Sequence, residues 1–101
     1  MKRFVHSLWT APCEDEEKLK KILAYQELSA KLVKRFGGQI VLYTDDKGIE
    51  LTKDMPYDEV YNIGDQLKDI NPKFYAAPKF FAMKNEPLGS YHIDYDIMLL
   101  K

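Results

Sequence analysis

The stretch EDEEKLKKILAYQELSAKLVKRFGGQIVLY, residues 14–43, decides the fold because it joins a long helix to a buried strand. Acidic residues open the predicted helix, Glu14–Phe36, and basic residues close it, so both ends complement the helix dipole. Gly37 and Gly38 then end the helix, since glycine readily adopts the left-handed backbone of a helix stop. Apolar residues at helical spacing predict one buried stripe, which comprises Ile22, Tyr25, Leu32, Val33 and Phe36.

The strand that follows, Gln39–Tyr43, is predicted to be covered on both faces, because Ile40–Tyr43 are consecutively apolar, as in parallel sheets. Outward from it, turn residues separate further strands and helices. These are a strand at Arg3–Trp9, a turn at Thr44–Gly48, a helix at Ile49–Asp54, a strand at Glu59–Ile63, a helical turn at Asp65–Ile70, helical pieces from Asn71 and over Pro78–Lys84, and a strand at Ser90–Leu100. The alternation predicts a single α/β domain over residues 1–101, with a three-layer, Rossmann-like, mostly parallel sheet.

Composition narrows the classes of function. The 15 basic and 16 acidic residues give a net charge of -1, which argues against binding a nucleic-acid backbone. No apolar stretch is long enough to span a membrane, and the first residues lack a signal peptide, so we expect a cytoplasmic protein. Cys13 is the only cysteine, which excludes an internal disulfide, and the acidic residues after it disfavour a catalytic thiolate. His6, in the middle of a predicted strand, is expected to be a structural or a surface residue rather than a metal ligand.

The last predicted strand contains the richest chemistry. Side chains alternate between the two faces of a strand, so one face would present His92, Asp94 and Asp96, and the other Tyr91, Ile93, Tyr95 and Ile97. One interpretation is a polar face in water. The other is a metal site, because neighbouring carboxylates repel unless a cation lies between them, and carboxylate oxygens suit magnesium and manganese.

The motif Asp94-Tyr95-Asp96, with the order of elements before it, resembles the nucleotide-binding N-terminal half of a GT-A-type bacterial glycosyltransferase. The resemblance extends over the whole chain. It includes a tryptophan at the end of the first strand (Trp9), an acidic residue after the second (Asp45) and a basic residue in the helix before the motif strand (Lys79).

The resemblance implies that the protein binds a nucleotide-sugar through Mn²⁺ or Mg²⁺. It implies that Asp96 is the main metal ligand and that Asp94 contacts the metal or the ribose. It further implies that Asp45 and Trp9 lie near the base or ribose, and that Lys79 lies near the phosphates or the motif carboxylates. It identifies no catalytic residue.

Complete enzymes of this type continue well past the motif, so the resemblance implies a donor-binding half that is incomplete as a catalyst. The alternative is a non-catalytic α/β module that binds a partner or forms a homo-oligomer. Hydrolysis at a metal site is a third interpretation. A joint response to nucleotide and manganese would favour the first, and a concentration-dependent dimer the second.

Overall fold

A computed structural model describes residues 2–10, 15–71, 77–86 and 89–93, in which strands and helices alternate. The elements are β1 (Arg3–Leu8), α1 (Glu16–Arg35), β2 (Gln39–Thr44), α2 (Asp46–Leu51), β3 (Glu59–Asn62), α3 (Gly64–Leu67), α4 (Ala77–Asn85) and β4 (Tyr91–His92). The predicted α/β class is confirmed. The helix predicted to start at Asn71-Pro72 and the last strand beyond Ile93 lie outside the described residues.

The four strands form one all-parallel sheet in the order β3-β2-β1-β4. β1 lies inside the sheet, where Arg3 is opposite Gln39 on one side and Phe4 is opposite Tyr91 on the other. β1, β2 and β3 lie side by side in chain order, and β4 pairs with the opposite edge of β1. Because all the strands are parallel, their carboxyl ends lie along one edge, and the strand order reverses between β1 and β4.

Helices pack on both faces of the sheet. On one face, Leu8 and Leu42 pack against α1 residues such as Ile22. On the other, Val5 and Val41 pack with residues of α3 and α4. All four residues of the apolar run in β2 are buried, which confirms its predicted cover on both faces. No helix within the described ranges is both long enough and apolar enough to cross a membrane.

The predicted buried stripe of α1 is only partly correct. Ile22 and Val33 are buried and Tyr25 is partly buried, but Leu32 is 44% exposed and Phe36 is 84% exposed. The other buried positions are Leu19, Gln26 and Ala30. The reason is that α1 has two apolar stripes: Leu28, Leu32 and Phe36 recur at every fourth position and form the second one. Only one stripe can face the sheet.

Two helix starts depend on aspartate caps. The Asp15 carboxylate accepts backbone hydrogen bonds from Glu17 and Lys18, so α1 begins at Glu16. The prediction for α2 was three residues late, because Asp45 caps it through the backbone N–H of Gly48, at 2.9 Å. The predicted turn at 44–48 is therefore largely the first turn of a helix. The other element ends agree with the predictions to within three residues, apart from the end of the last strand, which was predicted at Leu100, outside the described residues.

An ion cluster fixes α4 across the sheet. The Arg3 guanidinium bonds the Glu86 carboxylate at 2.5 Å and Glu59 at 2.7 Å, and the Tyr43 hydroxyl donates to Glu86. The Glu86 side chain is only 3% exposed, and its hydrogen bond with Arg3 is the main reason that its pKa is lowered. Because Arg3 starts β1, the last turn of α4 lies at the amino edge and its first turn faces the carboxyl edge.

His6 is structural in this fold, one of the two roles expected for it. It is 2% exposed, with its Nδ1 2.7 Å from the Tyr57 hydroxyl and its Nε2 3.0 Å from Ser29 Oγ. Burial lowers the pKa of His6 to about 4 and raises that of Tyr57. The imidazole is therefore neutral near pH 7 and joins β1 to α1 and to the segment before β3.

Candidate functional site

A pocket of about 460 Å³ opens where β1, β2 and β3 end. The apolar side chains of its wall are those of Trp9, Leu67 and Ile70. The charged side chains of its rim are those of Asp45, Asp46, Lys47, Asp65 and Lys68. The carboxyl edge of a parallel sheet is the usual ligand-binding edge of an open α/β fold. The pocket therefore combines an apolar wall with a rim on which two lysines lie among three aspartates.

Asp45 lies at the centre of this edge, and both of its oxygens are engaged. Oδ2 accepts the backbone N–H of Thr10 at 3.0 Å and the Thr10 hydroxyl at 2.8 Å, while Oδ1 accepts from Gly48. A second bond joins the same two strands, from the Thr44 hydroxyl to the Leu8 carbonyl at 2.7 Å. A carboxylate has about four acceptor sites. Asp45 therefore keeps roughly one for a ligand and mainly positions the ends of β1 and β2.

Trp9 also lies at the pocket, but it is largely a core residue. It is only 5% exposed and belongs to the apolar cluster that includes Ile63 and Leu67. An indole so deeply packed offers a ligand part of its surface rather than an open stacking face. Trp9 and Asp45, which the resemblance assigned to one nucleotide site, do lie on the same pocket.

The turn after β3 completes the rim. Asn62 Oδ1 accepts the backbone N–H of Gly64 at 2.8 Å, and the Asn62 amide donates to Asp46 at 2.5 Å. A Cβ at Gly64 would lie 3.0 Å from that Asn62 oxygen, so the turn has little room for a side chain there. Sequence reasoning missed Asn62, Gly64, Lys47 and Lys68. Gly64 directly follows the predicted strand Glu59–Ile63 and Lys47 lies in the predicted turn after β2, which was the available signal for these two. Asn62 and Lys68 lie inside a predicted strand and a predicted helical turn and had no such signal.

Lys79 does not line this pocket. It lies in the first turn of α4, on the β4 side. Burial is the main cause that lowers the pKa of His92; the Glu86 carboxylate acts to raise this pKa, and the charge of Lys79 acts to lower it. The alternation predicted for β4 is confirmed over its described residues, since Tyr91 stacks on Phe4 on the α1 face while His92 interacts with Glu86 across the other.

Asp94 and Asp96, the predicted metal ligands, lie outside the described residues. Within the described ranges, no group of three or more histidine, cysteine, aspartate or glutamate residues is arranged to hold a metal ion. Hydrogen bonds from Thr10 and Gly48 already use most of the acceptor sites of the Asp45 carboxylate. The metal prediction therefore depends on the Asp-X-Asp motif itself.

Comparison with known proteins places the chain in a family without assigning an activity. No curated protein and no solved structure matches it significantly. The match to a family extends from residue 1 to residue 101. The protein belongs to DUF6734, a family of unknown function.

Proposed function

We propose that the protein binds a nucleoside diphosphate-linked sugar at the carboxyl edge of its sheet, as the donor-binding part of a metal-dependent GT-A-type glycosyltransferase. The observation that supports this most is the pocket on the carboxyl edge, which is lined by residues that follow β1, β2 and β3. Open α/β sheets bind ligands outside the carboxyl ends of their strands.

The residues of the pocket suit the parts of such a donor. Trp9, Leu67 and Ile70 form an apolar wall against which a base can pack. Lys47 and Lys68 are exposed cations on the rim, where their ammonium groups would contact the phosphates. Asp45 holds the wall and the rim in register through Thr10 and Gly48, so the pocket is formed before a ligand enters.

The Asp-X-Asp motif follows His92 by two residues in sequence, and β4 points toward the same carboxyl edge. We assign Asp94 and Asp96 to the divalent cation. A bound cation would neutralise the diphosphate and stabilise it as the leaving group when the sugar–oxygen bond breaks. The described residues bind and orient the donor, and the proposal assigns none of them as a catalytic base.

Thermal unfolding with ligands tests the proposal. The chain is heated with UDP, GDP, ADP, CDP or dTDP, each with and without Mn²⁺. One nucleotide should raise the midpoint only when manganese is present, because a ligand at about a hundred times its dissociation constant adds roughly 2.7 kcal/mol to the folded state.

Matched variants show whether the response belongs to the motif. Asp96→Asn should remove the manganese-dependent part of the shift. Asp54→Asn, an exposed carboxylate in the turn after α2, should leave it intact. Failure of every nucleotide with manganese, or equal shifts in the two variants, would overturn the proposal.

A further inference from the structure

The outer face of α1 exposes three large apolar side chains in a row. Leu28 is 57% exposed, Leu32 is 44% exposed and Phe36 is 84% exposed. They recur at every fourth residue and so form a stripe about 12 Å long. The face of α1 that packs on the sheet uses a separate set of residues, so this stripe is not needed for the core.

The same face carries basic residues. Over Glu16–Arg35, α1 contains six cations and three acids, although the whole chain has a net charge of -1. Lys31 pairs with Glu27, and Lys34 pairs with Asp58. Lys18, Lys20, Lys21 and Arg35 form no ion pair with any residue that the structure describes. At 100° per residue, Lys18, Lys21 and Arg35 lie within about 60° of Leu32 around the helix, together with one acid, Glu17, and the other cations lie about 100° or more away.

An open groove continues this surface toward β4. Its volume is about 620 Å³, and its lining includes Phe4, Ser29, Leu32, Phe36 and Lys2 but no acidic residue. Beside it, Tyr91 is 49% exposed, stacks on Phe4 and has the Lys2 ammonium 5.6 Å from its ring centroid. The groove therefore extends the apolar and positively charged surface of α1 toward β4.

We propose that the outer face of α1, with this groove, binds an anionic membrane surface. Leu28, Leu32 and Phe36 would enter the boundary between headgroups and acyl chains, while the unpaired cations contact lipid phosphates. The helix lies in the plane of the surface and does not cross it. This inference is independent of nucleotide binding, because none of its residues lines the carboxyl-edge pocket.

Charge and shape favour a lipid surface over the other occupants. A second copy would bring the same cations together, and like charges at a contact are unfavourable. An acidic protein would satisfy the charge. However, the apolar side chains of α1 project outward, up to 84% exposure at Phe36, whereas a groove for an amphipathic peptide encloses its anchors. Projecting apolar side chains among lysines are typical of an interfacial helix.

Co-flotation of the 101-residue chain with vesicles tests the proposal. The probes are phosphatidylcholine alone and phosphatidylcholine with about 30 mol% phosphatidylglycerol, which gives a negative surface potential. The protein should float with the anionic vesicles only. Raising the salt from about 0.1 M to about 1 M shortens the screening length about threefold and should release most of it.

Two double variants separate the apolar contribution from the charge. Leu32→Ser with Phe36→Ser should weaken partitioning about tenfold through lost apolar burial. Lys21→Glu with Arg35→Glu should weaken it at least roughly thirtyfold, at about tenfold for each 1.4 kcal/mol. The matched control is Phe80→Ser with Met83→Ser, which removes exposed apolar side chains from α4 (68% and 51% exposed) and should change nothing.

All four substituted positions of the test variants are exposed, so the variants should keep the wild-type unfolding midpoint. Absence of binding to anionic vesicles at low salt would overturn the proposal and leave an acidic protein as the partner of this face. The proposal would also be overturned if the Leu32→Ser, Phe36→Ser variant floated as well as wild type. The same holds if the α4 control lost as much binding as that variant.

Discussion

Asp45 and Thr10 close the carboxyl edge of the sheet together, because one carboxylate oxygen of Asp45 accepts both the backbone N–H and the hydroxyl of Thr10. The other oxygen caps α2 at Gly48. One side chain thus sets the relative position of the residues that follow β1 and β2. The pocket owes its shape to this arrangement more than to any residue that projects freely into it.

The first prediction concerns this contact. Asp45→Asn should lower the free energy of unfolding by about 1–3 kcal/mol, because one amide oxygen cannot serve both Thr10 and Gly48. Denaturation in urea measures the change. Asp54→Asn, at an exposed position with a similar charge change, should stay within about 0.5 kcal/mol of wild type. Equal losses in the two variants would show that charge, rather than the hydrogen bonds, is responsible.

The second prediction concerns the rim cations. Lys47→Gln and Lys68→Gln should each weaken nucleoside diphosphate binding about two- to fivefold, since exposed ion pairs contribute up to about 1 kcal/mol. Calorimetric titration in the presence of manganese measures the dissociation constants. Lys53→Gln is the control, because Lys53 pairs with Glu50 and does not line the pocket. A control effect as large as that of the rim variants would place the phosphates elsewhere.

The third prediction concerns pH. The unfolded chain protonates His6 near pH 6.5, whereas burial holds the folded pKa near 4, so between these values the unfolded state binds more protons. The free energy of unfolding should therefore fall as the pH drops from about 6.5 toward 4, by at most about 1.4 kcal/mol per pH unit.

A comparison of variants identifies the histidine that is responsible. His6→Gln should be less stable than wild type at pH 7 but should show a flatter profile over this range. The pKa of His92 is also lowered by burial, but its exposure is greater, so His92→Gln should keep most of the slope. An unchanged slope in His6→Gln would contradict the assignment.

The fourth prediction concerns the ion cluster at the opposite edge. Glu86→Gln should cost about 1–3 kcal/mol, because it leaves Arg3 and Tyr43 with a weaker acceptor in a site that is nearly closed to water. The control is Glu50→Gln, whose carboxylate is 73% exposed and pairs with Lys53 three residues on. The control should be near neutral in the same denaturation experiment.

Much of the fold could be predicted because its signals are local. The apolar run Ile40–Tyr43 predicts a strand buried on both faces, and Gly37, at φ +78°, ends α1 as its glycine predicts. The exposure of Phe36 could not be predicted, since two apolar stripes on one helix are equivalent until the sheet is placed beside one of them.

The candidate site was predictable only in outline. That Trp9 and Asp45 would meet follows from their positions after parallel strands. That Thr10 would occupy the Asp45 carboxylate depends on the register of β1 with β2, which leaves no local trace in the sequence. Lys47 and Lys68 likewise become neighbours only when the loops after β2 and β3 come together.

The position of β1 inside the sheet has a consequence for biosynthesis. Phe4 leaves the ribosome early, but its partner on the far side, Tyr91, is made 87 residues later. At roughly 5–20 residues per second, that edge of β1 waits several seconds for β4. The β1-β2-β3 unit has its pairing partners sooner, so a nascent chain whose first 70 residues have left the ribosome should already resist proteolysis over these three strands while β1 still presents one open edge.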